Sequence, residues 1–163
     1  MFHLSFSAIH LAASLAFCAA GFAQPATAVS AEADAIPRAI YARACLSCHG
    51  AAGEGKPGLY PPLAKTDWVN APRPDRLIRL VLHGIVGPIK VNGQPWPTPT
   101  PFMPGHAATL KDEEIATLLS YLRRSMGNDA PPVDATAVAA VRAATVGRKA
   151  MWSEAELLAF PDR

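Results

Sequence analysis

The sequence has 163 residues, which is enough for about one domain, so a large multidomain enzyme is excluded. Its 15 Lys and Arg residues against 13 Asp and Glu residues give a formal net charge of +2, so we expect no nucleic-acid partner, because nucleic-acid binding needs clustered excess positive charge. Half of the residues are hydrophobic but only 7% are aromatic, so the core should be thin for the chain length.

The N-terminal segment predicts export. Residues 4–23 are almost wholly apolar or small and end in Gly21-Phe22-Ala23, which fits a signal-peptidase site. No Lys or Arg precedes this run, so an uncleaved membrane anchor stays the alternative. We predict a signal peptide over residues 1–23, a spacer over residues 24–35, a periplasmic location, and a mature chain without a further membrane span.

The rest of the chain predicts short helices joined by long loops. Apolar residues recur at helical spacing in residues 36–44, 75–82, 112–126, 133–146 and 153–160. Prolines and glycines crowd the stretch from residue 53 to residue 105, which argues against a sheet and against a long bundle. The fold class predicted from these patterns is all-α.

Three of these helices have a predicted inward face, and in the helix over residues 112–126 it consists of Ile115, Leu118, Leu119 and Leu122. In the first, Ile36, Ile40 and Tyr41 share one side. In the second, Arg76 and Arg79 should face water. The residues of the second helix that should face inward are Leu77, Ile78, Val81 and Leu82.

The cysteines give the first chemical signal. Cleavage after Ala23 would remove Cys18 and leave Cys45 and Cys48 in an oxidising compartment. Their spacing alone is compatible with a disulfide, a thioredoxin-like redox pair or half of a zinc site. A redox pair would sit in a βαβ pattern and zinc would need further ligands at matching spacing, so each of these interpretations lacks support in the sequence.

The residue after the second cysteine points to a different chemistry. Cys45-Leu46-Ser47-Cys48-His49 is the C-x-x-C-H pattern of covalent haem attachment. In this pattern two thiols add across the porphyrin vinyl groups, and a short turn carries the adjacent imidazole to the iron. We therefore predict one covalent haem c, bound through Cys45 and Cys48, with His49 as an iron ligand.

The second iron ligand is expected on the other side of the haem. Met103 is the best candidate, because it ends a stiff proline-rich loop over residues 95–104 and leaves ample chain after His49 to pass the porphyrin edge. His83 and His106 are rival ligands. Met126 fits better in a helix core. The residues expected to cover the porphyrin are Leu59, Leu63, Trp68, Leu77, Val81, Phe102 and Ile115.

Residues from about 36 to 127 resemble the class I cytochromes c, which are small mono-haem electron carriers. The motifs that carry the resemblance are Cys45-Leu46-Ser47-Cys48-His49-Gly50, Gly53-Glu54-Gly55, Pro61-Pro62-Leu63, Met103-Pro104 and the helix from Asp112 to Leu122. The resemblance implies a cytochrome c domain over residues 36–128, with short helices and long loops wrapped around the haem. Residues 129–163 would then form a C-terminal helical extension.

The resemblance also implies contacts inside that domain. The first and last core helices should cross near the haem, with Tyr41 and Tyr121 at the crossing. A proline carbonyl, from Pro61 or Pro62, should accept the Nδ1 hydrogen of His49, which would orient the ring.

The function implied by the resemblance is single-electron transfer rather than catalysis. Residues 68–101 and the tail after residue 128 resemble a subgroup that accepts electrons from exported dehydrogenases, so the expected redox partners are a periplasmic dehydrogenase, a terminal oxidase or a reductase. We expect either docking through an apolar patch around Cys45, Leu46 and the proline-rich loop, or a stable place in a dehydrogenase complex. The alternative is a haem enzyme or gas-binding sensor whose distal iron position is open.

Overall fold

A computed structural model describes Met1 and residues 34–98 and 102–161. The rest of the predicted signal peptide, Cys18 and most of the predicted spacer lie outside the described residues. Within the described ranges, no helix is both long and apolar enough to cross a bilayer.

The prediction of a mostly helical chain with short helices is confirmed. The helices are α1 (Ala35–Ala44), α2 (Leu46–His49), α3 (Asp67–Asn70), α4 (Asp75–His83), α5 (Asp112–Arg124), α6 (Ala135–Ala144) and α7 (Glu154–Leu158). Helix α5 ends two residues earlier than predicted, because Ser125 is extended and Met126 takes a positive φ of 56°.

The described residues of the proline- and glycine-rich stretch from residue 53 to residue 105 include four short strands in two two-stranded sheets, so the expectation of no sheet was wrong. They are β1 (Gly84–Val86), β2 (Lys90–Val91), β3 (Gln94–Pro95) and β4 (Phe102–Pro104). Strand β1 pairs antiparallel with β4, and β2 pairs antiparallel with β3. The hairpin forms because Asn92 and Gly93 both adopt the positive φ that a two-residue turn needs, at 52° and 75°.

Most of the buried apolar side chains form one cluster, the main core, around the crossing of α1 and α5. The Tyr41 and Tyr121 rings meet edge to face, with centroids 6.4 Å apart. The members of the main core include Ile40, Val69, Leu77, Ile78, Leu82, Ile115, Leu118, Leu119, Leu122, Val138 and Val141. The first and last helices of the expected domain therefore pack against each other.

A smaller cluster, the second core, joins the strands to the C-terminal segment. It consists of Ile85, Ile89, Val91, Trp152 and Leu157. Trp152 also pairs with Ile85 as a parallel bridge. The C-terminal segment is thus part of the structure that holds β1.

Three side chains lie elsewhere than predicted. Ile36 is 70% exposed, because the buried face of α1 is centred between Ile40 and Tyr41 and takes in Pro37 instead. Arg76 and Arg79 do not point simply to water. The Arg76 guanidinium donates from Nε and Nη2 to the Phe160 carbonyl at 2.9 and 2.6 Å, and the Arg79 guanidinium lies 3.8 Å from the Phe160 ring centroid.

Candidate functional site

A cavity of about 210 Å³ lies between the helical turn after α1, the loop at residues 59–63 and the strands β1 and β4. Most of its wall is apolar. Six of the seven residues predicted to cover a porphyrin line it: Leu59, Leu63, Trp68, Leu77, Val81 and Phe102. The seventh, Ile115, is instead fully buried in the main core.

Cys45 and Cys48 lie at this cavity on a single helical turn. The Cys48 and His49 amides donate to the Cys45 carbonyl at 3.2 and 2.9 Å, so the two cysteines are one turn apart and face the same side. Neither is in a disulfide. Burial, with a smaller effect from Cys48, raises the pKa of the Cys45 thiol to about 12.

His49 lies against the same cavity with its ring fixed. The ring is 7% exposed, and its Nδ1 is 2.8 Å from the Pro61 carbonyl, which can only accept. Nδ1 therefore carries the hydrogen and Nε2 is left as a ligand atom. Burial lowers the pKa of His49, against a smaller raising effect of the bond to Pro61, which favours the neutral form that binds metals.

The loop that brings the Pro61 carbonyl to His49 depends on a glycine. Gly55 has a φ of 71°, and a Cβ added there would lie 2.5 Å from the Tyr60 carbonyl oxygen. Only glycine allows this close approach in this conformation. Of the two prolines that the resemblance left open, Pro61 is the one whose carbonyl meets His49.

Met103 lines the cavity from β4. It pairs with Ile85 of β1 and packs against both the main core and the second core. A Cβ added at Gly84 would lie 2.2 Å from the Met103 carbonyl oxygen, so β1 and β4 approach closely there. The backbone of Met103 is thus held in a sheet rather than in a free loop.

The two rival histidine ligands differ in their position relative to the cavity. His106 also lines the cavity, and burial lowers its pKa. His83 instead lies 2.7 Å from the Thr145 hydroxyl, outside the lining. The Met126 sulfur would be 2.4 Å from a Cβ added at Gly53, and its side chain packs against the main core.

Sequence reasoning missed part of the wall. Ile85, Ile89 and Val91 also line the cavity, although they lie in the proline- and glycine-rich stretch for which no sheet was expected. The Asn92-Gly93 pair, a strong signal for a hairpin between apolar residues, was the available clue. Across the described ranges, no group of three or more His, Cys, Asp or Glu side chains could hold a metal ion.

The amino-acid sequence matches known proteins. The family model described as Cytochrome c matches residues 37–125. The chain is 33% identical over 91 residues to the cytochrome c subunit of a quinone alcohol dehydrogenase from Gluconacetobacter polyoxogenes, which covers 56% of this chain and 19% of that protein. It is 35% identical over 107 residues to a fructose dehydrogenase cytochrome subunit from Gluconobacter japonicus, covering 64% and 21%.

A shorter relative gives a similar match. Cytochrome c-552 from Thermus thermophilus is 37% identical over 92 residues, which is 55% of this chain and 66% of that protein. The chain thus spans about a fifth of the length of the two dehydrogenase subunits and about two thirds of the small cytochrome. The resemblance found in the sequence is confirmed by these matches.

Proposed function

The chain belongs to the cytochrome c family, and we propose from this membership that it carries single electrons with one covalent haem c and is not itself an enzyme. The observation that carries the proposal is the cavity at which the sulfurs of two cysteines outside any disulfide, a buried imidazole and a thioether are assembled. This donor set fits a haem in its chemistry. When bound, the haem supplies a one-electron iron couple.

In this proposal, each polar group at the cavity has a defined role. The Cys45 and Cys48 sulfurs would hold the haem through two thioether bonds. His49 would be an iron ligand through Nε2, and its Nδ1 bond to Pro61 keeps the ring in place and makes the imidazole more basic. Met103 would supply a thioether ligand, which raises the reduction potential relative to a second imidazole.

The apolar wall supports the same role. Leu63, Trp68, Leu77 and Val81 replace water around the site. A water-poor, preformed surrounding changes little when one electron arrives or leaves, so it suits a carrier more than a catalyst that must admit a substrate. Leu59 and Phe102 line the cavity and are 49% and 58% exposed, so they offer an apolar surface at its mouth.

We extend the proposal to location and partner. The apolar leader at residues 4–23 supports export to the periplasm. The similarity to dehydrogenase cytochrome subunits supports a dehydrogenase as electron donor. The acceptor would be a terminal oxidase or reductase, reached through a brief contact at the apolar mouth of the cavity. Residues 129–163 are proposed as an extension of the cytochrome c domain over residues 36–128.

The proposal is tested by producing the full chain in a periplasm that has a haem-attachment system. We expect a mass gain of one haem that survives denaturation, a sulfur-to-iron charge-transfer band in the oxidised protein, and no spectral change with carbon monoxide. Met103→Ala should lose that band and become high-spin, and its potential should fall.

His106→Gln is the matched variant, because His106 lines the same cavity three residues away. It should keep the sulfur band and the potential. A wild-type spectrum that is high-spin and shifts with carbon monoxide would overturn the carrier proposal in favour of an enzyme or gas sensor. Loss of the low-spin state in His106→Gln, but not in Met103→Ala, would make His106 the ligand.

A further inference from the structure

The segment from Arg148 to Phe160, here called the C-terminal clamp, is bonded to the strand that pairs with Met103. The Val86 amide donates to the Trp152 carbonyl at 2.8 Å, and the Trp152 amide donates to the Gly84 carbonyl at 3.0 Å. Ile85 between them is paired with both Trp152 and Met103. Because a strand has only two edges, β1 lies between the clamp and β4.

The Trp152 side chain is itself fixed in place. It is 6% exposed, and its indole N–H donates to the Arg79 carbonyl at 3.1 Å. The Arg148 guanidinium lies 3.3 Å from the ring centroid, and the Phe160 ring meets it edge to face at 5.6 Å. These contacts anchor the clamp to α4, the helix that runs directly into β1.

Packing links the same parts as the hydrogen bonds. Trp152 and Leu157 are buried in the second core with Ile85, and Met103 packs against that cluster. A pair of three-residue strands is marginal alone, whereas a third partner and an apolar face stabilise it. Met103 and the clamp thus share the second core, so a movement of β4 changes packing to which the clamp contributes.

We infer that the C-terminal clamp positions Met103 for the iron and that Trp152 is the positioning residue. The inference rests on the proposed function, since it takes Met103 to be an iron ligand. Because Met103 packs against the second core and its backbone is paired with Ile85, its sulfur leaves the iron more easily when β4 moves away from β1. The clamp makes this movement less favourable because it holds β1 from the opposite edge.

The test uses imidazole, which binds ferric iron only where the methionine sulfur has left. In the haem-loaded full chain, Trp152→Ala should bind imidazole at least about tenfold more tightly, read from loss of the sulfur-to-iron band. Its reduction potential should fall as well. Trp152→Phe keeps an aromatic ring and the backbone bonds, so its imidazole affinity should stay within about threefold of wild type.

Val138→Ala is the control for a purely stabilising role. Val138 is fully buried in α6 and belongs to the main core, not to the second core. This variant should lower the free energy of unfolding while leaving imidazole affinity and potential unchanged. If Trp152→Ala binds imidazole as wild type does, or if Val138→Ala tightens binding equally, the positioning role is wrong.

A measurement on the wild-type chain covers the case in which Trp152→Ala does not fold. Coupling between two sites is reciprocal, so saturating imidazole should speed hydrogen exchange at the Val86 and Trp152 amides. Unchanged exchange at both amides would overturn the inference. A wild-type protein without the sulfur band would instead overturn the assignment of Met103, so the two failures are distinguishable.

Discussion

At the scale of single residues, Arg123 shows how a charge supports the wall of the cavity. None of its surface is exposed. Its Nη1 donates to the Val69 and Ala71 carbonyls at 2.8 and 2.9 Å, and its Nε donates to the Pro131 carbonyl at 2.6 Å. Since Val69 of α3 lines the cavity, Arg123 connects α5 to the helix that forms this part of the wall.

We expect Arg123→Met to lower the free energy of unfolding by about 3 kcal/mol, because it leaves several buried carbonyls without a donor. The neighbouring Arg124 is exposed, so Arg124→Met should change the free energy of unfolding by about 0.5 kcal/mol or less. Denaturant titration of the haem-loaded protein measures both. Equal effects of the two substitutions would contradict the role given to the buried guanidinium.

The candidate site was predictable where its residues are close in sequence. Cys45, Cys48 and His49 fall on one helical turn, so their spacing alone brings them together. Met103 is brought to them by its pairing with Ile85, a contact between distant parts of the chain that no local pattern encodes. For the same reason the sequence did not separate His106 from His83, which only the folded chain places apart.

At the scale of elements, the helices were predicted better than the strands. Helices α4 and α5 are long enough for the 3.6-residue spacing of apolar residues to be recognised in the sequence, and their buried faces follow this spacing. Strands of two or three residues have no measurable period. Arg76 and Arg79 were expected to face water because charged side chains on a helix surface usually do. Their partner in the folded chain is Phe160, which is too distant in sequence for a local pattern to indicate.

The hairpin between β2 and β3 should be sensitive to its turn glycine. Gly93 has a φ of 75° but open space where a Cβ would lie, so Gly93→Ala introduces only backbone strain. We expect it to lower the free energy of unfolding by about 1 kcal/mol. Gly147 also has open space where a Cβ would lie, but its φ is outside the left-handed region. Gly147→Ala should therefore leave the free energy of unfolding nearly unchanged. Thermal unfolding compares them, and equal shifts would contradict the argument.

Helix α7 is held by a carboxylate whose effect depends on pH. The Ser153 amide donates to Glu156 at 2.8 Å, and with Arg148 and the Ser153 hydroxyl it lowers the pKa of Glu156 from 4.5 to about 2. A lowered pKa in the folded state adds stability above pH 4.5 that is lost as pH falls toward 2.

Glu156→Gln should therefore lower the unfolding temperature at neutral pH, and the gap to wild type should narrow as pH falls through this range. Asp129→Asn, which removes an exposed carboxylate elsewhere, is the control for the change in net charge. Unfolding temperatures measured from pH 7 downward decide the question. A gap that stays constant, or that Asp129→Asn reproduces, would show that the Glu156 contacts do not matter.

At the scale of the whole molecule, the two cores share part of the cavity wall. Leu80 and Met103 line the cavity and pack against both the main core and the second core. The second core includes Trp152 and Leu157, which lie beyond the segment matched to the family, since that segment ends at residue 125. Residues outside the matched segment thus support the wall of the proposed haem site from behind.

The overall charge sets how electron exchange should respond to salt. The formal charge of +2 does not change on loss of residues 1–23, because they contain no Lys, Arg, Asp or Glu. So small a charge gives weak long-range attraction or repulsion.

Rates of reduction by ascorbate, a single anion, and of oxidation by ferrocenium, a single cation, should each change by at most about threefold between roughly 0.01 M and roughly 0.2 M ionic strength. Stopped-flow measurements give both rates. A much steeper change with either reagent would reveal a local charged patch near the cavity mouth, and docking by the apolar surface at Leu59 and Phe102 would then be wrong.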